Sequence, residues 1–445
     1  MRDNIIFIPT PIKSHILPSF YLASLLKNEF DVHYLVADKY LANIVKDNNY
    51  NAIISDKYKS SFEMEVPPTY KSRKKKYFEY LVSIINQEAD KLRKAELKEI
   101  CDILNPKAIF IDIFSPTDYI LLNGLKKKNL FFFNPMPSTY RIKEFPVVSE
   151  PDFLNRHYEI NRNVLKSAKI SLNGLLNQPK KTFLALLNFF FTKKMLRDNK
   201  VIKKAVTKNN EYTIGFVDVP EFLLIPIEFE FSKEVQLPWQ IYCGLCVNES
   251  RIHNDVDADY NEDWLKISRI DKPIIYCSFG TYYSGAEEKL LYFIEKLMLI
   301  KREIDALFII STNNINIKNE IKLKAVDDFY VYISVPQLQV LKKASIYICH
   351  GGMGSVKESI FNGVPLLVYP LDLNYDQCGN GLKVTYHGIG LNGDLMIDDE
   401  KRILEKIKDL LTNDKYSQKI RDLKKQIDMN YSDEKNYKLI KSLLL

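Results

Sequence analysis

Residues 345–370 read SIYICHGGMGSVKESIFNGVPLLVYP. The stretch begins with an apolar run typical of a buried strand, turns at Gly351-Gly352, and continues with helical spacing as far as Gly363. A second apolar run follows, so the order strand, glycine turn, helix, strand predicts one unit of a parallel sheet. The backbone N–H groups and the dipole at the start of such a helix favour an anion, and glycine lets a phosphate come close to the backbone.

The same rhythm runs through both halves of the chain. Apolar, β-rich runs occur at 4–9, 32–37, 51–55, 108–114 and 129–134, and again at 273–279, 306–311, 329–335, 345–349 and 365–370. Helical spacing separates most of these runs. The pattern predicts an α/β protein with two Rossmann-like, doubly wound parallel-sheet domains that face each other across a cleft.

We expect the first domain at 1–240, the second at 241–430, and a C-terminal helix at 431–445 that packs back on the first domain. The polar segment 237–262 is expected to be the linker. A chain of 445 residues is long enough for two such domains. Because ligands of parallel sheets bind at the carboxyl ends of the strands, the cleft is the expected active site.

Net charge, cysteine content and the length of the apolar runs limit which classes of protein the chain can belong to. The formal net charge of +7 suits an anionic ligand or membrane surface and does not by itself indicate nucleic-acid binding. The six cysteines are scattered, and the single CxxC pair, Cys243 and Cys246, lacks the second pair that a zinc site needs. The N-terminus passes straight into a strand pattern, and the apolar runs are too short to span a bilayer. We therefore expect a cytoplasmic protein.

The stretch from 334 to 377 resembles the donor-binding signature of glycosyltransferase family 1, the UDP-sugar-dependent glycosyltransferases of GT-B fold. The matching residues stand in the order and at the spacing of that signature. They are Pro336, Gln337, His350, Gly352, Ser355, Glu358, Gly363, Val364, Pro365, Asp376 and Gln377. Weaker matches occur in the N-terminal half, so the likeness covers most of the chain.

The resemblance implies a role for each part of this signature. His350 and Ser355 would bind the diphosphate of the donor, and Thr281 would approach the phosphates. Glu358 would hold the ribose hydroxyls, and Gln337 would lie near the nucleoside. The implied donor is a UDP-sugar, with UDP-glucose as the first expectation, and no other cofactor is expected.

The resemblance also implies residues that bind the sugar and the base of the donor. Asp376 and Gln377 would bind the hydroxyls of the donor sugar. Val335 lies in the segment that faces the base, where the family's stacking Trp is replaced by Ser334, and the family's Asn is replaced by Gly354. Because a missing aromatic platform removes stacking worth about 1–3 kcal/mol, a dTDP-sugar stays open as the donor.

His15 and Asp112 form a second group of candidate site residues, separate from the donor-binding signature. His15 follows the first predicted strand in PTPIKSHILP, which resembles the family's G-H-x-x-P segment with Ser14 in place of Gly. The resemblance makes His15 the catalytic base and Asp112 the carboxylate that orients it. The plainer alternatives are a cap or core histidine at 15 and a helix N-cap at 112; Asp118 is a lesser candidate carboxylate.

Other classes of function are weaker. The loop after the first strand lacks G-x-G-x-x-G, and the chain lacks a Walker A motif. The D-x-D spacing at 255–259 lies in the polar linker, so no metal is expected. A sugar-nucleotide epimerase of the same fold and a non-catalytic, transferase-like helper remain alternatives.

The sequence thus favours an inverting transfer of a hexose from a UDP- or dTDP-sugar to a hydroxyl of a lipophilic small molecule. The cationic-apolar segment 180–204 has two interpretations. It favours helices that cover the acceptor pocket, and peripheral contact with an anionic membrane is the alternative.

Overall fold

The computed structural model describes residues 2–55, 87–142, 145–148, 192–202, 205–207, 209–252, 256–280, 286–324, 326–372 and 375–444. Within these residues no helix is both long and apolar enough to cross a bilayer. The predicted Thr281 and most of the segment 180–204 lie outside the described residues, as does the start of the D-x-D stretch at Asp255.

The first half of the chain forms a parallel sheet of seven strands in the order β3-β2-β1-β4-β5-β8-β9. These strands are β1 (Asp3–Ile8), β2 (Phe30–Val36), β3 (Asn51–Ile54), β4 (Ala108–Asp112), β5 (Leu130–Asn134), β8 (Glu221–Leu223) and β9 (Gln240–Tyr242). Between β5 and β8 the short strands β6 (Val206–Thr207) and β7 (Gly215–Phe216) pair antiparallel. The order of β3 to β5 is that of a doubly wound sheet, whose direction of winding reverses between β1 and β4.

Helices connect these strands. They are α1 (Lys13–Leu26), α2 (Lys39–Asp47), α3 (Glu88–Leu104) and α4 (Pro116–Gly124), and residues 192–198 are also helical. The side chain of Asp38 caps α2 by accepting a hydrogen bond from Leu41 N at 2.8 Å.

The second half forms a parallel sheet of six strands in the order β12-β11-β10-β13-β14-β15. These strands are β10 (Ile274–Ser278), β11 (Leu307–Ser311), β12 (Phe329–Tyr332), β13 (Ile346–Cys349), β14 (Leu366–Val368) and β15 (Gly390–Asn392). Here the winding reverses between β10 and β13, so this sheet repeats the plan of the first. The prediction of a two-domain, Rossmann-like α/β architecture is confirmed.

The helices of the second half are α5 (Tyr260–Ile267), α6 (Glu287–Lys301), α7 (Ile315–Lys322), α8 (Gln337–Leu341), α9 (Met353–Asn362), α10 (Gln377–Tyr386), α11 (Glu400–Thr412), α12 (Lys415–Asn430) and α13 (Asp433–Leu444). The last of them returns to the first sheet. Ile440 and Leu444 belong to its core cluster, and Asp433 accepts a hydrogen bond of 2.8 Å from the hydroxyl of Tyr21 in α1.

One apolar cluster joins the two halves. Leu223 and Ile225, at the end of β8, pack in the same buried cluster as Val356 and Ile360 of α9. At a second contact, Lys383 of α10 forms a buried ion pair of 3.3 Å with Glu230. These contacts fix α9, which carries the predicted phosphate site, against the first sheet.

The structure differs from the prediction at the edges of both sheets. Residues 240–242, which were expected to open the linker, form the edge strand β9 and pair with β8. The strands β8 and β15 were not predicted either. Each of the three has only three residues, and two of them begin with a polar residue, so none shows an apolar run long enough to detect.

Candidate active site

His15 and Asp112 meet at the point where the first sheet reverses its winding. Asp112 is the last residue of β4, and His15 lies in the first turn of α1, just after β1. Because β1 and β4 are neighbours, His15 Nδ1 lies 2.8 Å from Asp112 Oδ2, and both side chains are buried. The carboxylate also accepts hydrogen bonds from the backbone N–H groups of Thr10, at 3.2 Å, and Phe114, at 2.9 Å.

This pairing sets the tautomer of the imidazole. An ionised carboxylate is a hydrogen-bond acceptor only, so the imidazole nitrogen that faces it is the donor. The proton between the two groups therefore belongs to Nδ1 of His15, and Nε2 carries the basic lone pair. The ring of Phe114 packs against the imidazole edge-on, with ring centroids 5.2 Å apart.

A glycine cradle holds His350 at the matching reversal in the second sheet. The imidazole lies between Gly280, just after β10, and Gly352, at the start of α9. A Cβ on Gly280 would lie 2.6 Å from His350 Cε1, and one on Gly352 would lie closer still to Nε2. Burial lowers the pKa of His350 to about 4, so the ring is neutral at pH 7.

Two polar features of this turn point towards a ligand. Nδ1 of His350 is buried and has no hydrogen-bond partner among the described residues. The N-cap of α9, Gly352, likewise provides no side chain to cap the helix. Free N–H groups at a helix start and an unpaired imidazole nitrogen suit a phosphate. By contrast, a Cβ on Gly354 would meet nothing within 4 Å.

A chain of hydrogen bonds runs from Ser355 to Glu358. The hydroxyl of Tyr347 lies 3.0 Å from both Ser355 Oγ and Gln337 Oε1. The amide of Gln337 then donates to Glu358 Oε2 at 2.8 Å. Glu358 also forms a bidentate ion pair with Arg251. These contacts fix the predicted nucleoside-binding side chains in one orientation.

Asp376 and Gln377 stand at the start of α10. Burial raises the pKa of Asp376, whose Oδ2 accepts a hydrogen bond of 2.8 Å from Asn380. The side-chain amide oxygen of Gln377, Oε1, accepts hydrogen bonds from the backbone N–H groups of Leu371, at 2.8 Å, and Asp372, at 3.0 Å. The amide nitrogen of Gln377 is thereby oriented as a donor.

One cavity of about 300 Å³ brings these groups together. It is lined from the first half by His15 and from the second half by the described residues of the predicted donor site. Those residues are Ser334, Val335, Gln337, His350, Gly352, Gly354, Ser355, Glu358, Asp376 and Gln377. Asp112 lies behind His15, outside the lining.

Comparison with known proteins finds similarity to glycosyltransferases. Residues 293–440 match the family model described as the glycosyltransferase family 28 C-terminal domain. A Bacillus subtilis (strain 168) protein named uncharacterized UDP-glucosyltransferase YojK is 24% identical over 183 residues, which are 41% of this chain and 42% of that protein. The NDP-glycosyltransferase YjiC of the same organism is 33% identical over 127 residues, 28% of this chain and 31% of that protein. The chain thus matches less than half the length of these curated relatives.

Solved structures match over the whole chain. The kitacinnamycin glycotransferase aligns with a TM-score of 0.69 at 16% identity, over 100% of this chain and 99% of the other. The glycosyltransferase VinC in complex with dTDP aligns with a TM-score of 0.65 at 12% identity, over 99% of both chains. The chain therefore has the GT-B fold of these glycosyltransferases.

The assignment to glycosyltransferase family 1 stays a prediction, because the matching family model is that of family 28 and covers residues 293–440. His15 and the described residues of the predicted donor site share one cavity, but their individual roles remain predictions.

The structure gives cationic partners to carboxylates outside the His15–Asp112 pair. Asp118, the lesser candidate for the partner of His15, instead accepts two hydrogen bonds of 2.8 Å from the buried guanidinium of Arg93. In the D-x-D stretch, Asp257 pairs with Lys318 at 2.7 Å and Asp259 with Lys322 at 2.6 Å. Both carboxylates are therefore neutralised by lysines.

Arg251, Tyr276 and Lys357 are among the cavity-lining side chains that sequence reasoning missed. Arg251 comes from the segment read as a polar linker. Tyr276 of β10 stacks on Tyr347, with ring centroids 4.8 Å apart. Lys357 of α9 reaches the first half and donates to the carbonyl of Leu224 at 2.5 Å. Only Lys357 carried a sequence signal, since it lies between two predicted site residues.

Proposed function

We propose that this protein is an inverting glycosyltransferase that moves a hexose from a UDP- or dTDP-sugar to a hydroxyl of a lipophilic small molecule. The observation that carries the proposal is that two imidazoles line the same cavity: His15, which Asp112 orients, and His350, whose Nδ1 has no hydrogen-bond partner among the described residues. The first is placed to remove a proton, and the second to hold a leaving diphosphate.

The acceptor half of the reaction rests on His15. With its Nδ1 proton held by Asp112, the imidazole can accept a proton at Nε2 from an acceptor hydroxyl as that hydroxyl attacks the anomeric carbon. Asp112 would stabilise the imidazolium that forms. Attack from the side opposite the diphosphate inverts the anomeric centre.

The donor half rests on the turn before α9. As the bond to the anomeric carbon breaks, negative charge grows on the diphosphate. The N–H groups at the start of α9 and an imidazole N–H of neutral His350 would meet that charge without reorganising. We propose that no metal ion is needed, and activity that survives treatment with EDTA would agree.

The acceptor class is inferred from the aromatic side chains beside His15. Phe114 packs on His15, Tyr212 lies 5.8 Å from Phe114, and Tyr375 lies 5.9 Å from Tyr212 between ring centroids. Phe114 and Tyr375 line the cavity, as do the apolar Leu17 and Met136. Such a surface suits a hydroxylated aglycone with apolar or aromatic rings.

The test is product analysis by mass spectrometry after incubation with UDP-glucose or dTDP-glucose and a panel of hydroxylated polyketides, terpenoids and flavonoids. We expect an acceptor-dependent hexoside and release of the nucleoside diphosphate. The variant His15→Ala should bind UDP as the wild type does and form at least ~100-fold less hexoside, the smallest loss typical of a removed general base.

Two outcomes would contradict the proposal. Conversion of the donor sugar in the absence of any acceptor would identify an epimerase instead. Unchanged turnover in His15→Ala would remove the imidazole from the mechanism and favour a protein that acts through a partner enzyme.

A further inference from the structure

The ribose side of the cavity contains an ion pair that changes what Glu358 can bind. Both guanidinium nitrogens of Arg251 donate to the carboxylate, Nη1 to Oε1 and Nη2 to Oε2, the latter at 3.1 Å. Gln337 Nε2 donates to Oε2 as well, at 2.8 Å. All three side chains line the cavity.

Counting acceptor positions shows how little of the carboxylate remains available. An ionised carboxylate has about four lone-pair positions. Within the described part of the chain, Oε2 of Glu358 accepts from Arg251 and Gln337, and Oε1 accepts from Arg251. One position, on Oε1, is left for a hydroxyl of the ligand.

We infer that this site is built for a 2′-deoxynucleoside diphosphate sugar, whose deoxyribose offers one hydroxyl, the 3′-OH. The inference rests on the proposed function and narrows its donor. A carboxylate without the guanidinium could accept hydrogen bonds from both hydroxyls of a ribose. With the guanidinium bound, the 2′-OH of a UDP-sugar loses its acceptor, and burying an unmatched hydroxyl weakens binding.

The ion pair is expected to persist when the donor binds. The side chains of Arg251 and Glu358 are 13% and 7% exposed. Displacing the guanidinium would leave a largely buried carboxylate without its counter-ion, close to an incoming diphosphate of the same sign. The ion pair between Arg251 and Glu358 therefore stays formed in the complex and determines which hydroxyls of the ribose can be bound.

The experiment compares UDP with 2′-deoxy-UDP by isothermal titration calorimetry on the full-length protein. These probes share base and phosphates and differ only in the 2′-OH. We expect 2′-deoxy-UDP to bind the wild type at least as tightly as UDP. The variant Arg251→Met keeps the side-chain length and removes the hydrogen-bond donors. In this variant the affinity for UDP should rise about tenfold relative to the affinity for 2′-deoxy-UDP, because the 2′-OH regains its hydrogen-bond acceptor.

Arg269→Met is the matched control, because Arg269 is exposed and does not line the cavity; it should keep the wild-type ratio. Tighter binding of UDP than of 2′-deoxy-UDP by several-fold in the wild type would overturn the inference, and that measurement needs no variant to fold. An unchanged ratio in Arg251→Met would also overturn it. If neither nucleotide bound, the proposed function itself would fail.

Discussion

The glycine cradle around His350 can be tested with two substitutions two residues apart, Gly352→Ala and Gly354→Ala. The backbone of Gly352 has φ −60° and ψ 138°, a conformation open to any residue. Any cost of an alanine there must therefore come from its methyl group. That methyl would collide with Nε2 of His350, so the ring, which also lies close to Gly280, would have to shift.

The magnitudes follow from these contacts. Forcing an extra methyl into a packed site costs about 1–3 kcal/mol. Replacing glycine also restricts the unfolded chain, which returns about 0.4–1 kcal/mol. We therefore expect Gly352→Ala to lower the free energy of unfolding by about 1–2 kcal/mol. Gly354 lies inside α9 and its Cβ would meet nothing, so alanine there should raise the free energy by about 0.5–1 kcal/mol.

The assay is thermal melting of both variants beside the wild type, followed by calorimetric titration with UDP. The melting temperature should be highest for Gly354→Ala, intermediate for the wild type and lowest for Gly352→Ala. A displaced His350 should also weaken UDP binding in Gly352→Ala. If both alanines shifted the melting temperature in the same direction, or Gly352→Ala bound UDP as the wild type does, the described cradle would be refuted.

Three further predictions follow. Asp112→Asn places an amide donor against Nδ1 of the imidazole and so moves the basic lone pair away from the cavity; turnover should fall by about 10³–10⁴-fold while the UDP dissociation constant stays the same. The pKa of His350 is about 4 in the folded protein and 6.5 in the unfolded chain, so the unfolded chain binds the proton more readily. The free energy of unfolding should therefore fall by about 3 kcal/mol as the pH is lowered from 6.5 to 4. In urea titrations the variant His350→Gln should lack that part of the decline. Arg93→Met strands the buried carboxylate of Asp118 and should cost about 3–5 kcal/mol by thermal melting, much of it restored in the double variant Arg93→Met/Asp118→Leu.

The sequence predicted the parts of the fold that depend on apolar runs. The strands on either side of the two reversals of winding are β1, β4, β10 and β13. They are buried over most or all of their length, and their sequences are correspondingly apolar. Once β1 and β4 are recognised as neighbours, His15 and Asp112 must meet although 97 residues separate them. Topology alone brings this pair together.

The parts that could not be predicted depend on contacts without a periodic signal. Arg251 lies in an irregular segment 107 residues before Glu358, and no local pattern connects the two. Asp118 has the same residue type and nearly the same location as Asp112, and only the packing of Arg93 from α3 decides between them. Side-chain partners of this kind emerge from the folded core.

The charges around the cavity bear on how a donor is held. Among the described residues of the lining, three side chains carry a basic amino or guanidinium group: Lys13, Arg251 and Lys357. Arg251 is bound to Glu358, and burial lowers the pKa of Lys357, which donates to the carbonyl of Leu224. His350 is neutral at pH 7. Lys13 is then the remaining cation in the described lining, and we expect a diphosphate at the glycine turn to be held mainly by N–H dipoles, an interaction that added salt weakens little. Affinity for UDP should then change little as ionic strength rises, whereas a site that depends on exposed cations would lose affinity steeply.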